Sequence, residues 1–309
     1  MTNDKGQIPN FIPAEAEQLV EQTSIDLVRQ IECEAIATPL GDRAIQTTYA
    51  CLGSGGTPIL LLHGFDSSLL EFRRLLPLLA ADNETWAVDL LGFGFTDRPP
   101  QLSFGAEAIK THLYSFWKTL IQRPVILVGA SMGGATALDF ALSYAEIVEQ
   151  LVLVDSAGLT NAPLSRKFMF PPLDTLATDF LRRPGIRQQI ARASYYNKSF
   201  ASIDARLCAS LHLSLPQWNR AIATFTKSGG YGSFAKQLSQ LHQPTLIVWG
   251  RNDKILGTKA AGQFERAIAN SKLVWIEECG HVPHLEKPQE TARTILNFRR
   301  DLGSKLFGV

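Results

Sequence analysis

Short apolar runs recur along the chain, and turn-forming residues bound each of them. Runs of four to six residues without polar alternation are typical of strands that are buried on both faces of a parallel sheet. The intervals between them carry apolar positions at helical spacing. The pattern predicts an α/β fold, a mostly parallel central sheet with helices on both faces. The predicted strands are 58–62, 86–89, 125–129, 151–154, 245–249 and 273–276, and the predicted helices are 69–79, 106–121, 133–144, 259–269 and 290–302.

Two features precede this alternation. Residues 14–30 place apolar side chains at roughly helical spacing among polar ones, which predicts an amphipathic helix that packs on a larger body. Residues 31–38 and 45–51 are strand-like and flank a turn at 40–42, which indicates a hairpin. We therefore expect an N-terminal helical extension over residues 1–30. The apolar positions of the predicted helix include Leu19, Val20, Leu27 and Val28.

One long interval breaks the rhythm. Residues 157–241 contain aromatic and apolar positions at helical spacing, several prolines and no convincing buried strand. The interval is too long for a loop in a compact domain, so we expect an inserted helical cap. The core domain would then comprise residues 31–156 and 242–309. Five aromatic side chains either line an apolar pocket under this cap or form its own core, namely Phe168, Phe170, Tyr195, Tyr196 and Trp218.

Charge separates the predicted cap from the rest of the chain. Thirty Lys and Arg balance 29 Asp and Glu, for a net charge of +1, so no overall field would recruit nucleic acid and we expect a small-molecule substrate. Residues 157–241 alone carry eleven Lys and Arg against three Asp. One interpretation of this excess is that the cap favours anionic substrates or an acidic partner. The other is that the basic helix faces are solvated or rest on an acidic core.

Composition places the chain among ordinary globular proteins. Its 309 residues are 45% hydrophobic and 19% charged, and no stretch approaches the ~18 apolar residues of a membrane span. The start of the chain lacks a secretory pattern, and the four cysteines form no CxxC pair. We therefore expect a cytoplasmic protein with reduced thiols.

The strongest chemical signal is Gly129-Ala130-Ser131-Met132-Gly133. This G-x-S-x-G sequence follows a predicted strand directly and precedes a predicted helix. In that setting it makes a sharp turn that projects the serine hydroxyl outward, while its glycines let the strand and the helix approach closely. Ser131 is therefore a candidate nucleophile.

A serine hydroxyl needs a base to take its proton and a carboxylate to orient that base. Asp253 follows the predicted strand 245–249, and His281 follows the strand 273–276. Because loops at the carboxyl ends of parallel strands open on one edge, Ser131 could meet both residues there. Asp155, directly after the strand 151–154, is a second candidate for the acid.

Together these segments resemble the α/β-hydrolase superfamily, in its serine-nucleophile branch with a helical cap. The motifs are LLHGF at 61–65, DLLGFG at 89–94, GASMG at 129–133, GRND at 250–253 and GHVPH at 280–284. The resemblance spans roughly residues 31–302. It implies a serine esterase with a Ser131 nucleophile, an Asp253 acid and a His281 base. It also implies an oxyanion hole formed by the backbone N–H groups of Phe65 and Met132, with no cofactor and no metal.

Two other functions remain open on the same fold. Enzymes that cleave carbon–carbon bonds of dienoate ring-fission products share the triad, although Val282 replaces the aromatic residue that tends to follow their base. Some members of the superfamily act as small-molecule receptors with the triad intact. Relatives with an aspartate nucleophile are disfavoured by Ser131. If His281 is the base it must be neutral, so activity should rise with pH through the range in which histidines titrate.

Several residues near the motifs could carry other chemistry. Asp97 stands where the third glycine of a dinucleotide fingerprint would be, and no phosphate-binding loop occurs elsewhere. Pro283 separates His281 from His284, which disfavours a helical zinc motif, so we expect structural roles for His284 and Glu286. We expect His63 to be a structural hydrogen-bonding residue and Cys279 to be buried filler.

Overall fold

The computed structural model describes residues 6–160 and 173–307, and side chains up to residue 300. Within these residues eight strands form one sheet, in the order β1-β2-β4-β3-β5-β6-β7-β8. Each predicted strand is present, with ends shifted by at most a few residues. The strands are β1 (Glu32–Ile36), β2 (Ile45–Leu52), β3 (Ile59–Leu62), β4 (Thr85–Val88), β5 (Val125–Ala130), β6 (Val148–Val154), β7 (Thr245–Gly250) and β8 (Ser271–Ile276).

The pairing confirms the predicted mostly parallel sheet. β1 and β2 form the expected antiparallel hairpin, and β2 pairs antiparallel with β4. All other neighbouring strands are parallel. The carboxyl ends of β3 to β8 therefore lie along one edge, and the loops that carry the candidate chemistry follow from those ends.

Helices cover both faces of the sheet, as the continuous apolar runs predict. Leu60 and Leu62 of β3 pack into one buried cluster, whereas Ile59 and Leu61 pack into the other. No helix of the described residues is both long and apolar enough to cross a bilayer. The helices are α1 (Gln22–Arg29), α2 (Leu76–Leu79), α3 (Ala106–Phe116), α4 (Met132–Ser143), α5 (Leu173–Arg182), α6 (Pro184–Ser194), α7 (Ile203–Cys208), α8 (Trp218–Ser228), α9 (Lys259–Ala267), α10 (Pro283–Glu286) and α11 (Pro288–Phe307).

The predicted helix at 14–30 is interrupted. A 3₁₀ turn at Ala14–Gln18 and α1 are separated by an extended segment, and its Val20 is 74% exposed. The buried Asp204 carboxylate accepts hydrogen bonds from the N–H groups of Val20 (3.1 Å) and Glu21 (2.9 Å). A contact across 184 residues thus overrides the local helical pattern.

The predicted helix at 69–79 is also split, into a 3₁₀ turn at Leu69–Phe72 and the short α2. Pro77 has no N–H with which to continue an α-helical ladder onto the carbonyl of Arg73. In addition, the N–H of Leu69 donates to the Asp89 carboxylate at 2.6 Å, which fixes the start of the turn. Proline chemistry and a tertiary bond together explain the break.

Helices α5 to α8 lie between β6 and β7, as expected for the predicted insertion. The described part of this interval, 157–160 and 173–241, contains no strand. Tyr195 and Trp218 are buried and Tyr196 is exposed, whereas Phe168 and Phe170 lie outside the described residues. We keep the name cap for this interval.

Candidate active site

Ser131 occupies a strained turn between β5 and α4. Its φ of +53° lies in a region that side-chain-bearing residues rarely adopt. A Cβ added at Gly133 would lie 2.0 Å from the Leu62 carbonyl oxygen, and one at Gly129 would lie 2.2 Å from the Gly133 carbonyl oxygen. Only glycine lets the helix, its own strand and β3 approach this closely. The turn therefore holds Ser131 at the carboxyl edge of the sheet.

His281 and Asp253 converge on Ser131 at that edge. The Nε2 atom of His281 lies 3.0 Å from the Oγ atom of Ser131, across 150 residues of sequence. The Nδ1 atom of the same ring lies 3.0 Å from Oδ2 of Asp253. Asp253 and His281 are 5% and 7% exposed, so solvent screens their interaction only weakly. The structure thus brings together the three side chains that the sequence singled out.

The Asp253 carboxylate is held in its charged form. Burial alone would raise its pKa, but the His281 ring and the N–H groups of Ile255 and Leu256 lower it below its usual value. Those N–H groups donate to Oδ1 at 2.7 and 3.1 Å. Oδ2 is left to accept from His281, which fixes the ring with its Nε2 atom toward the serine.

Asp155 lies beside Asp253, but its surroundings shift its pKa in the opposite direction. It is fully buried at the end of β6 and accepts from the N–H of Gly250 at 3.1 Å. Carboxyl oxygens of the two aspartates and a nitrogen of His281 all lie within 4.8 Å of one another. Burial first, and then the neighbouring Asp253 charge, raise the pKa of Asp155 well above its usual value. The surroundings thus disfavour the charged form of Asp155 and favour that of Asp253.

The loop after β3 passes over the nucleophile. A Cβ added at Gly64 would lie 3.4 Å from the Cβ atom of Ser131, and Phe65 follows directly. Met132 is the first residue of α4, so its N–H points out of the helix N-terminus. Among the described residues, neither the Phe65 nor the Met132 N–H has a hydrogen-bond acceptor. Neither N–H is therefore committed to another group in the described part of the chain.

A buried carboxylate that no sequence motif identifies, that of Glu71, holds this loop in place. Oε2 of Glu71 accepts from the N–H of Gly64 at 3.0 Å, and its Oε1 lies 2.9 Å from Nε2 of His284. Burial would raise the pKa of Glu71, but His284, His63 and the Gly64 N–H lower it to about 2. His63 bonds to the Gly64 carbonyl and to the Leu90 N–H, which is the structural role expected for it. The sequence signal for Glu71 is its position as a carboxylate within the apolar pattern of the predicted helix 69–79.

Asp66 joins the same loop to the cap. Its Oδ2 lies 2.5 Å from Nη1 of Arg187 in α6, and its Oδ1 accepts from the indole N–H of Trp218 at 2.8 Å. His212 approaches Oδ1 at 3.2 Å. Burial would raise the pKa of Asp66, but these three partners keep it below its usual value. Arg187 is thus one basic residue of the cap that pairs with a carboxylate of the core.

The residues after His281 serve the loops rather than the chemistry. The Glu286 carboxylate accepts from the N–H groups of Gly280 (2.8 Å), Tyr196 (2.9 Å) and Asn197 (2.6 Å). The His281 N–H itself donates to the Ser194 carbonyl of α6 at 2.7 Å. Cys279 is fully buried, and burial raises the pKa of its thiol. The base is thus positioned jointly by the core and by the cap.

Ser131 and His281 open into a cavity of about 280 Å³ between the core and the cap. Its walls are mainly apolar and include the side chains of Phe65, Ile190, Val282 and Leu285. The Phe65 ring packs against Phe93 and Phe225, with centroids 5.9 and 5.7 Å apart. A cavity of this size beside a serine, a histidine and two free N–H donors suits acyl transfer to a small organic molecule.

Comparisons with known proteins identify the family to which the fold belongs. The profile of the alpha/beta hydrolase fold family matches residues 57–288. The Alpha/beta hydrolase domain-containing protein VTE7 of Arabidopsis thaliana is 31% identical over 297 residues, which cover 94% of this chain and 90% of that protein. The 2-hydroxy-6-oxo-6-(2'-aminophenyl)hexa-2,4-dienoic acid hydrolase of Metapseudomonas resinovorans is 29% identical, covering 82% of this chain and 87% of that enzyme. Lipase 1 of Psychrobacter immobilis is 27% identical, covering 87% and 84%. The chain therefore belongs to the alpha/beta hydrolase fold family, and it is a hydrolase.

Proposed function

We propose that this hydrolase cleaves an ester-like carbonyl compound through a Ser131, His281 and Asp253 triad and an acyl-enzyme intermediate. The observation that carries the proposal is the unbroken chain of contacts from the Asp253 carboxylate through His281 to the Ser131 hydroxyl, each 3.0 Å long. Nucleophile, base and orienting acid are thereby within direct proton-transfer reach.

The first half-reaction would proceed as follows. Nε2 of His281 takes the hydroxyl proton while Oγ of Ser131 attacks the carbonyl carbon, and the carbonyl oxygen becomes an oxyanion. The N–H groups of Phe65 and Met132 would bind that oxygen, where each such donor is typically worth ~2.7 to 4 kcal/mol. The tetrahedral intermediate then expels the alcohol, which takes the proton back from His281.

Water completes the cycle in the second half-reaction. His281 takes a proton from water, the hydroxide oxygen attacks the acyl carbon, and the Ser131 oxygen leaves with the proton that His281 returns. The products are one carboxylic acid and one alcohol, with no net change in the enzyme. Asp253 stays ionised throughout and stabilises the imidazolium that forms in each half-reaction.

Asp253 suits the acid's role better than Asp155. Only Asp253 bonds to His281 directly, and its lowered pKa keeps the charge that an imidazolium needs. Burial and the neighbouring Asp253 charge raise the pKa of Asp155, so Asp155 is less suited than Asp253 to carry the negative charge that stabilises an imidazolium.

The dienoic acid hydrolase relative keeps carbon–carbon bond cleavage as a second candidate. That reaction needs the same serine and base, and it differs in the substrate that the cavity accepts. A direct comparison of an activated short-chain ester with a dienoate ring-fission product distinguishes the two. Turnover of the ester alone supports the first function, and turnover of the dienoate alone supports the second.

The test of the proposed chemistry is steady-state hydrolysis of a short activated ester. We expect Ser131→Ala to reduce kcat/KM on the order of a thousandfold or more, since the triad acts as a unit. Ser143→Ala is the matched control, because Ser143 is exposed at the other end of α4. Ester turnover that survives in Ser131→Ala refutes the proposal, and a wild-type chain that binds but turns over neither substrate class is a receptor.

A further inference from the structure

A buried arginine of the core contributes to the wall of the cavity that contains Ser131. Arg73 lies just after the 3₁₀ turn Leu69–Phe72, is 2% exposed and lines the cavity together with Tyr195, Ala205 and Cys208. The triad and the oxyanion donors proposed above do not use it. An arginine keeps its positive charge in proteins, so this wall carries a permanent cation.

The other charged groups of the cavity wall, apart from the triad, have close partners. Arg187 lies 2.5 Å from Asp66 and also donates to the Ala209 carbonyl. Glu71 has His284 at 2.9 Å and the Gly64 N–H at 3.0 Å. Their charges and hydrogen-bonding capacity are committed to holding the loop and the cap.

Arg73 differs from them in its hydrogen bonds. Its Nη1 donates to the Leu70 carbonyl at 3.3 Å, but its Nε and Nη2 atoms have no hydrogen-bond partner among the described residues. The nearest carboxylate oxygen, Oε2 of Glu21, is 3.8 Å from Nε. Glu21 is already engaged by Arg74, at 2.5 and 2.9 Å. The Tyr195 hydroxyl also interacts with the guanidinium, although it does not reach hydrogen-bonding geometry with Nε or Nη2.

Buried donors without acceptors are costly and rare in folded proteins. Two such nitrogens on adjacent corners of a guanidinium match the two oxygens of a carboxylate, which arginine binds in a fork. Apolar residues such as Ile190 and Leu285 share the cavity wall with Arg73 and Ser131. That wall suits a hydrocarbon segment between a scissile ester and a terminal anion.

We propose that Arg73 binds a free carboxylate on the substrate, so that the preferred esters carry a carboxylate at the end of a hydrocarbon chain. This inference rests on the proposed ester hydrolysis and narrows its substrate class. It also assigns recognition of negative charge to a buried core residue rather than to the exposed arginines of the cap.

The test compares matched esters that differ only in the terminal group. One series pairs 4-nitrophenyl hemiesters of linear dicarboxylic acids with 4-nitrophenyl alkanoates of the same length. A second series places the carboxylate on the alcohol side, as acetyl esters of ω-hydroxy acids and of the matching alkanols. With the carboxylate on one side of the ester and at one chain length, we expect the wild-type kcat/KM for the carboxylate ester to exceed that for its uncharged counterpart by about tenfold or more.

Arg73→Met should abolish that preference, because it should lower kcat/KM far more for the carboxylate esters than for the uncharged esters of the same length. Arg74→Met is the matched control, because Arg74 has the same charge one residue later but does not line this cavity. It should keep the wild-type preference. Arg73→Lys, which keeps the charge but loses the fork, should show an intermediate preference.

Each remaining outcome is decisive. Equal or lower wild-type kcat/KM for the carboxylate ester in every pair overturns the inference, even if Arg73→Met does not fold. A preference that persists in folded Arg73→Met also overturns it. In both cases continued hydrolysis of the uncharged esters leaves the proposed function standing, whereas no hydrolysis of any ester contradicts the proposed function itself.

Discussion

Two walls of the cavity are built in different ways. The wall that carries Ser131 and His281, with Asp253 next to it, consists of short loops at the ends of β5, β7 and β8. The other wall consists of the loop around Phe65 and the cap, and buried carboxylates with partners in distant segments hold it. The order of the strands positions the residues of the first wall. Individual buried charged groups position the residues of the second wall.

The difference separates reactivity from substrate selection. Strands of one sheet fix the triad within hydrogen-bonding distance, and such positions change little when the cap changes. The loop and the cap depend on Asp66 and Glu71, two buried carboxylates whose loss would leave buried hydrogen-bond donors without an acceptor. Changes on the first wall should therefore affect chemistry, and changes on the second should affect substrate binding and stability together.

The largest effect is expected from the two neighbouring aspartates that lie next to the first wall. Asp253→Asn removes the charge that orients His281, and we expect kcat to fall on the order of 10⁴-fold. Asp155→Asn keeps nearly the same shape and changes a carboxyl group that has no hydrogen bond to His281, so kcat should stay within about threefold. Steady-state kinetics of both variants on one ester measures this contrast. A similar loss in Asp155→Asn would mean that the acid has been assigned wrongly.

On the second wall, Asp66→Asn should have a smaller and mixed effect. The change leaves Arg187 buried without its counter-charge and loosens the loop that carries the Phe65 N–H. We expect a Tm lower by several degrees and kcat/KM lower by about tenfold or more. Kinetics and calorimetry on the same sample check both values.

Two further variants sharpen that result. Arg192→Met removes an exposed arginine from the same helix α6 and should leave the Tm nearly unchanged. The double variant Asp66→Asn with Arg187→Met should recover part of the lost Tm, because neither charge is then left unpaired. A double variant no more stable than Asp66→Asn would show that this pair does not hold the cap.

The smallest effect concerns acid stability at Glu71. Its folded pKa of about 2 lies below the ~4.3 of a free glutamate. The resulting stabilisation is present above the unfolded value and is lost as pH falls toward the folded one. Calorimetry should show that Glu71→Gln lowers the Tm most near neutral pH and that the difference shrinks between about pH 4 and 2. The exposed Glu107→Gln should show no such trend, and a constant difference for Glu71→Gln would contradict the account.

The same contrast explains what the sequence could predict. Ser131, Asp253 and His281 each follow a strand of the predicted parallel sheet, so parallel topology alone was enough to expect them at one edge. Asp66 and Arg73 have no local signature of their role, because their partners lie in other segments. The only local signal for Glu71 is a carboxylate within an apolar pattern, and that signal does not reveal its partners. The pairing of Asp66 with Arg187 spans 121 residues. The broken helix at 14–30 has the same cause, since its bond to Asp204 arises only after folding.

The central claim is that Ser131 is the nucleophile, and covalent labelling tests it most directly. A fluorophosphonate phosphonylates only a serine that a neighbouring base activates. Peptide mass mapping of the labelled wild-type protein should place the adduct on Ser131, and His281→Ala should suppress labelling. An unlabelled wild-type protein, or an adduct on any other residue with Ser131 unmodified, would contradict the account.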